Sequence, residues 1–187
     1  PTSSHYEIIK FCLNNNKHVF SEKPLVMKYK QAEELKEIAL RKNLVLYSAY
    51  MYQFYETFSK VKEILSENIL GEIKSVKSSM FVSQYLKKHK SNTWRFKKEN
   101  AGGGVIITQT SHLIYLLILY FGGFQIKSSE LKNIYSPDNL EDSAKIYLSF
   151  DKNISALIEA SWSKPNYRKP EINIYIEGQH GSIFVTD

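Results

Sequence analysis

The sequence predicts an α+β fold: a short parallel α/β unit, then a predominantly antiparallel mixed sheet with helices on one face. Three observations carry that expectation. Residues 1–50 alternate helical and extended apolar patterns, the rhythm of a parallel sheet. Residues 144–162 alternate apolar and polar with period two. Between them lies the most apolar stretch of the chain, residues 105–124, interrupted by Thr108, Gln109, Thr110, Ser111 and His112.

Taken in order, Ser3 and Ser4 are placed to cap a first helix whose apolar face is Ile8, Ile9, Cys12 and Leu13. Asn14-Asn15-Asn16 ends it, and Val19-Phe20 begins a strand that stops at Glu22-Lys23-Pro24. Residues 31–42 give a second amphipathic helix, with Ala32, Leu35, Ile38 and Ala39 inward and Arg41 and Lys42 at its negative end. Residues 44–47 give a second short strand. This unit contains no glycine and is too short for a complete doubly wound domain, so it reads as the last part of one. The expected division is residues 1–49 and residues 50–187.

Residues 54–65 give a third helix, with Phe58, Val61, Ile64 and Leu65 on one side, and Gly71 closes it. Residues 73–82 are strand-like, and residues 87–100 read as a polar loop holding Trp94-Arg95. Gly102-Gly103-Gly104 leads into a buried helix. Ala144, Ile146, Leu148 and Phe150 then share one face of a strand. Asp151-Lys152-Asn153 turns the chain, and Ile154, Ala156, Ile158, Ala160 and Trp162 form the inward face of a partner strand. Ile172, Ile174 and Ile176 give a further strand, with a turn at residues 178–181, so the whole reads as an antiparallel meander. The chain starts at Pro1 without an initiator Met and stops just after a strand-like segment, and both ends read as cut.

The 187 residues suffice for one sizeable core, and 43% hydrophobic with 24% charged residues is ordinary for a globular protein. The lone Cys12 cannot form an internal disulfide, which points to a reducing cytoplasm. The net charge of +6 invites a nucleic-acid reading, but the basic residues are spread along the chain, and the densest run, Lys87-Lys88-His89-Lys90, is short. No nucleic-acid partner is expected. Nor is a membrane partner: the uninterrupted apolar segment, residues 113–121, is half the length a bilayer requires. Five histidines without ligand spacing and no cysteine pair argue against a metal site.

Three constellations could do chemistry. Glu22-Lys23-Pro24 lies at the carboxyl end of a strand, where open α/β sheets bind ligands. A lysine held there can bond a substrate hydroxyl, and burial would lower its pKa toward proton-transfer range; the alternative is a surface ion pair. In residues 102–115, three glycines precede a helix whose free N–H groups favour anions, and Thr108, His112 and Tyr115 follow at i, i+4 and i+7. His112 is suited to acid–base work, or else is a core histidine satisfied by a carbonyl. Trp94-Arg95 offers a flat face and a fork for an anion, or simply a packed anchor.

In order and spacing these pieces resemble the Gfo/Idh/MocA family of NAD(P)-dependent oxidoreductases. Lys17-His18-Val19-Phe20-Ser21-Glu22-Lys23-Pro24 is similar to its G-K-H-V-x-x-E-K-P segment, and Pro1 to His5 to the end of its T-P-x-x-x-H segment. Leu70-Gly71-Glu72-Ile73, Trp94-Arg95, Gly102-Gly103-Gly104, Ser111-His112-Leu113-Ile114 and residues 178–183 resemble further family blocks. The resemblance implies a Rossmann domain ending near residue 49 and a substrate-binding, oligomer-forming domain over residues 50–187. It implies NAD or NADP as cofactor, a sugar, nucleotide sugar or cyclitol as substrate, and a homo-oligomer built through the second sheet. Lys23 and His112 would be catalytic. Pro1, His5, Glu22, Lys23 and Pro24 would lie on the cofactor side, while Tyr52, Trp94, Arg95, Thr108 and Gln109 would line the substrate pocket.

The departures matter. Where many members carry Asp four residues before the histidine, Thr108 stands here; where they carry Asp three residues after it, Tyr115 stands. Gln53 replaces the common Arg beside Phe54. No G-x-G-x-x-G loop occurs in the chain, and by resemblance it belongs upstream of Pro1, with further strands past Asp187. Two other readings stay open: a truncated, non-catalytic member acting as a dimerising or sugar-binding module, and a generic α+β scaffold.

Overall fold

The computed structural model describes residues 1–83, 94–136 and 139–187. These form two sheets, one of two strands and one of six.

The first unit runs α1 (Thr2–Asn14), β1 (Val19–Ser21), α2 (Tyr29–Arg41), β2 (Leu46–Ser48). β1 and β2 pair in parallel, Val19 opposite Leu46, as the helix–strand rhythm requires. Ile9, Leu13, Leu35, Ile38 and Ala39 are buried between the helices. Two details differ from the expectation. Ser3 and Ser4 do not cap α1; they lie in its first turn, which starts at Pro1, and the Ser4 hydroxyl donates to the Pro1 carbonyl at 2.8 Å. Proline has a preset φ and no N–H to satisfy, so it can start the helix without a hydroxyl cap. Ile8 is exposed rather than inward, because the face buried against α2 is the narrower Ile9–Leu13 stripe. Asparagines in left-handed conformation follow three helices, Asn16 (φ 58°), Asn43 (φ 54°) and Asn68 (φ 55°). Lys42 Nζ donates to the Asn14 carbonyl at 2.6 Å and so ties the ends of the first two helices together.

After β2 a 3-10 turn (Met51–Phe54) leads to α3 (Glu56–Ser66) and β3 (Ile73–Phe81). Residues 84–93, including the Lys87-Lys88-His89-Lys90 run, lie outside the described residues. The rest of the expected polar loop is not a loop: Trp94–Phe96 makes a 3-10 turn and α4 spans Lys98–Ala101. Gly102, at φ +86°, ends α4. A π turn (Ile106–Thr110) then opens directly into α5 (Ser111–Phe121).

The large sheet holds β4 (Phe124–Lys132), β5 (Ser143–Phe150), β6 (Ser155–Ser161), β7 (Glu171–Gly178) and β8 (Ser182–Thr186). Its order is β4-β5-β6-β3-β7-β8. It is therefore not a plain meander: β3 inserts between β6 and β7, parallel to β6 and antiparallel to β7. All its other pairings are antiparallel. The mixed, predominantly antiparallel sheet of the predicted α+β class is thus what forms. One face is covered by α3 and α5: Phe58, Val61, Leu113, Leu116 and Leu117 pack on Ile146, Leu148, Ile158, Ile172, Ile174 and Ile176. α5 is apolar and, by length and composition, the run Lys98–Phe121 could cross a membrane; here its Leu113, Leu116 and Leu117 are fully buried against the sheet.

Candidate active site

β1 and β2 are parallel, so the segments leaving them emerge at one edge. From β1 comes Glu22-Lys23-Pro24, with a cis peptide before Pro24. From β2 comes Tyr50 and the turn bearing Tyr52. The start of α5 meets them from the second unit. Lys23 Nζ donates to the Thr108 carbonyl at 2.5 Å, across 85 residues of sequence. Tyr52 stands edge-on to His112, ring centroids 4.9 Å apart, and Tyr50 does so at 5.9 Å. The structure thus brings Lys23, Tyr52, Thr108 and His112 together.

His112 is 5% exposed, and its Nδ1 has no hydrogen-bond partner among the described residues. Burial, and secondarily the Lys23 charge, lower its pKa to about 3. The imidazole is neutral at neutral pH. Lys23 is also pulled below the ordinary lysine value, chiefly by burial and further by Arg95, while Glu22 opposes the shift. Gln109 is 7% exposed, and its Oε1 likewise lacks a partner among the described residues. Two buried polar atoms of this site, His112 Nδ1 and Gln109 Oε1, therefore have no hydrogen-bond partner among the described residues.

The other candidates fall around this pair. His5 Nδ1 lies 3.0 Å from the Pro24 carbonyl, which braces the loop carrying Lys23. Pro1 is the exposed start of α1 and accepts from Ser4. Glu22 is exposed, and its Oε2 accepts the Lys23 N–H at 3.2 Å. Arg95 is exposed, with its guanidinium carbon 4.9 Å from the centre of the Trp94 ring, so the flat face of Trp94 is shared with Arg95. Thr108 contributes its carbonyl rather than its side chain: the hydroxyl turns back to the Gly104 carbonyl at 2.7 Å. Of the three residues expected at i, i+4 and i+7, Thr108 lies in the π turn, while His112 and Tyr115 lie in the α-helix that follows it.

Three features were not read from the sequence. Tyr50 stacks on Tyr115 with centroids 4.3 Å apart, a wall where the family pattern has Asp. Burial raises the Tyr50 pKa, and burial raises that of Tyr52 to about 12, so both stay neutral hydroxyls. The third is Glu141. The triple glycine does not await an anion from outside, because Glu141 Oε1 accepts from the N–H of Gly104 at 2.8 Å and of Ile106 at 3.3 Å. Such contacts join residues far apart in sequence and leave no local signal. Among the described residues, no group of three metal-ligating side chains gathers.

The chain is similar to known proteins along most of its length. Residues 58–184 match the family model described as GFO/IDH/MocA C-terminal domain, and residues 1–50 match that of the oxidoreductase family, NAD-binding Rossmann fold. A trans-1,2-dihydrobenzene-1,2-diol dehydrogenase of Xenopus tropicalis is 22% identical over 84% of this chain and 46% of its own length. An uncharacterized oxidoreductase of Schizosaccharomyces pombe is 32% identical over 80% of this chain and 40% of its own. The chain thus spans about half the length of the curated relatives it matches, or less. Among solved structures, a levoglucosan dehydrogenase in complex with NADH and levoglucosan superposes with a TM-score of 0.91 at 22% identity, over 98% of this chain and 51% of that one.

Proposed function

Because the chain belongs to the Gfo/Idh/MocA family of oxidoreductases, we propose that it carries the acid–base half of a nicotinamide-dependent dehydrogenase site acting on a CH–OH group of a sugar, nucleotide sugar or cyclitol. The observation that carries the reading is the meeting of Lys23 and His112, from different units, around two unsatisfied buried polar atoms. We read residues 1–49 as the end of the dinucleotide-binding domain and residues 50–187 as the substrate-binding and oligomerisation domain. The compartment we expect is the cytoplasm.

The neutral imidazole of His112 is the form that accepts a proton, and it accepts it from the substrate hydroxyl that becomes a carbonyl. Its proton affinity is low, since burial and Lys23 both oppose a new cation. Lys23, whose own affinity burial lowers, orients the hydroxyl and shares the proton. Gln109 and Tyr52 hold the substrate, with Arg95 and Trp94 at the rim. On the cofactor side the braced segment from Glu22 to Pro24, with His5 behind it, fits the nicotinamide end of NAD or NADP. A nicotinamide held there would supply the hydride acceptor, the substrate carbon giving up its hydride as its hydroxyl proton passes to His112.

The test is kinetic. In the native protein, His112→Ala and Lys23→Ala should each lower turnover by on the order of 10²-fold while leaving nucleotide binding intact. Wild-type-like turnover in either variant would sink the assignment. Sugar binding with no nucleotide binding at all would favour a non-catalytic module instead.

A further inference from the structure

The helix that carries His112 has no cap of its own. No side chain near its start accepts from the first N–H groups, and orphan donors at a half-buried helix start are costly. They are satisfied from 35 to 37 residues away: Glu141 Oε1 accepts from Gly104 and Ile106, and the Glu141 carbonyl accepts from Val105 at 2.8 Å. Three successive N–H groups are thus held by one residue. Only glycine permits the approach, since a Cβ on Gly104 would sit 2.0 Å from the Glu141 carbonyl oxygen.

Glu141 is itself immobilised on both sides. Leu140 is 1% exposed and Asp142 fully buried. Asp142 donates its N–H to Lys132, its carbonyl accepts from Trp162, and its carboxylate accepts from Ile134, Tyr135 and Ser136. Glu141 is therefore anchored to the large sheet, at the entry to β5.

What it holds is the wide turn of the site. In this turn and at the first residue of α5, the hydroxyls of Thr108, Thr110 and Ser111 donate back to the Gly104, Val105 and Ile107 carbonyls. A π turn leaves a main-chain carbonyl open to an outside donor. In this turn the Thr108 carbonyl accepts from Lys23 Nζ. His112 follows one turn later. A fixed start keeps the extra residue in the turn; a released start lets the turn relax toward an ordinary α-helix, which would rotate both Thr108 and His112 relative to Lys23.

We propose that Glu141 is a positioning residue of the active site, a strut from the large sheet that fixes the turn presenting the Thr108 carbonyl to Lys23 and His112 to its substrate. The inference rests on the reading of Lys23 and His112 as the proton-handling pair. It differs from a merely stabilising role in what it predicts for His112.

The experiment compares Glu141→Gln, Glu141→Asp and Glu141→Ala in the 187-residue chain, with circular dichroism to confirm the sheet. Gln keeps an acceptor oxygen at the same reach; Asp keeps the charge but is one methylene too short. The probe is the His112 imidazole, followed by NMR of ¹³C-histidine-labelled protein at pH 5.5. The groups facing it are Lys23, Tyr50 and Tyr52. In the parent and in Glu141→Gln it stays neutral, as a midpoint of about 3 requires. In Glu141→Asp and Glu141→Ala it moves toward the ordinary 6.5 and becomes measurably protonated. In the native protein the same two variants should lose on the order of 10²-fold in turnover, with Gln near the parent. Folded Asp or Ala variants with an unmoved His112, or a Gln variant that fails to rescue, would overturn the proposal; if Ala does not fold, the Asp and Gln pair decides. An inert Glu141 beside an essential His112 leaves the assigned chemistry standing. A His112→Ala enzyme with full turnover removes that chemistry whatever Glu141 does.

Discussion

At His112, burial has a consequence for stability as well as for proton transfer. The unfolded chain protonates this residue at its ordinary 6.5, while the folded chain resists protonation down to about 3. Between those values the unfolded state binds more protons, so unfolding becomes easier as the pH falls. The stability in question is present above pH 6.5 and is lost on the way down to about 3, at no more than about 1.4 kcal/mol per pH unit for one proton. His112→Leu should remove that slope. Urea unfolding of both proteins at pH 7, 5.5 and 4.5 checks it: the parent should lose ground to the variant as the pH drops, and parallel curves would refute the buried, neutral imidazole. His112 and Lys23 could be singled out from the sequence because their types and order carry meaning even when their surroundings are unknown. Glu141 and Tyr50 could not, and neither could the stacking of Tyr50 on Tyr115. Their roles exist only through contacts, a carboxylate reaching 37 residues back and two rings stacked across 65 residues, and nothing adjacent to them in the chain announces either.

Among elements, legibility followed burial. The strands that alternate in and out, β5, β6 and β7, were readable because one face of each lies in the core. β4 went unread: apart from the half-buried Phe124 it is exposed along its length, so no alternation marks it. The π turn was unreadable for a different reason, since its wider spacing depends on what holds its start. β4 is nonetheless tied down, and the tie is testable. It leaves the sheet at Lys132, and the next residues are collected by the buried Asp142 carboxylate through the N–H groups of Ile134, Tyr135 and Ser136 at 2.6–3.2 Å. Asp142→Ala leaves those donors without their acceptor and should cost about 3 kcal/mol or more, whereas Asp142→Asn keeps one oxygen and should cost less. Denaturant midpoints rank the three proteins, and hydrogen exchange at residues 134–136 should quicken first. Equal midpoints for Ala and the parent would mean that the link contributes nothing.

For the whole molecule, the large sheet poses the remaining question. Its inner face is covered by α3 and α5. Its outer face carries the residues that alternate with that core: Phe81, Tyr147, Leu157, Tyr175 and Phe184, interspersed with Lys77, Lys145 and Glu159. Phe184 is 65% exposed and Tyr147 37%, while Lys145 lies 3.5 Å from Glu159 and over the Tyr147 ring. Aromatic residues set among charges of both signs suit a self-complementary contact, in which each lysine of one copy can meet a glutamate of the other across a two-fold axis. We therefore expect the chain to associate through this face. Sedimentation at micromolar concentration should show a dimer or higher species. The double substitution Tyr147→Glu with Phe184→Glu should shift it to monomer, since four like charges would then face one another across the axis. Neither side chain contributes to the inner core, so the variant's unfolding midpoint, measured at a concentration where the parent is also monomeric, should stay close to the parent's. A parent that sediments as a monomer, or a variant that associates as before, would move the contact off this face, and the exposed aromatics of β5 and β8 would need another partner.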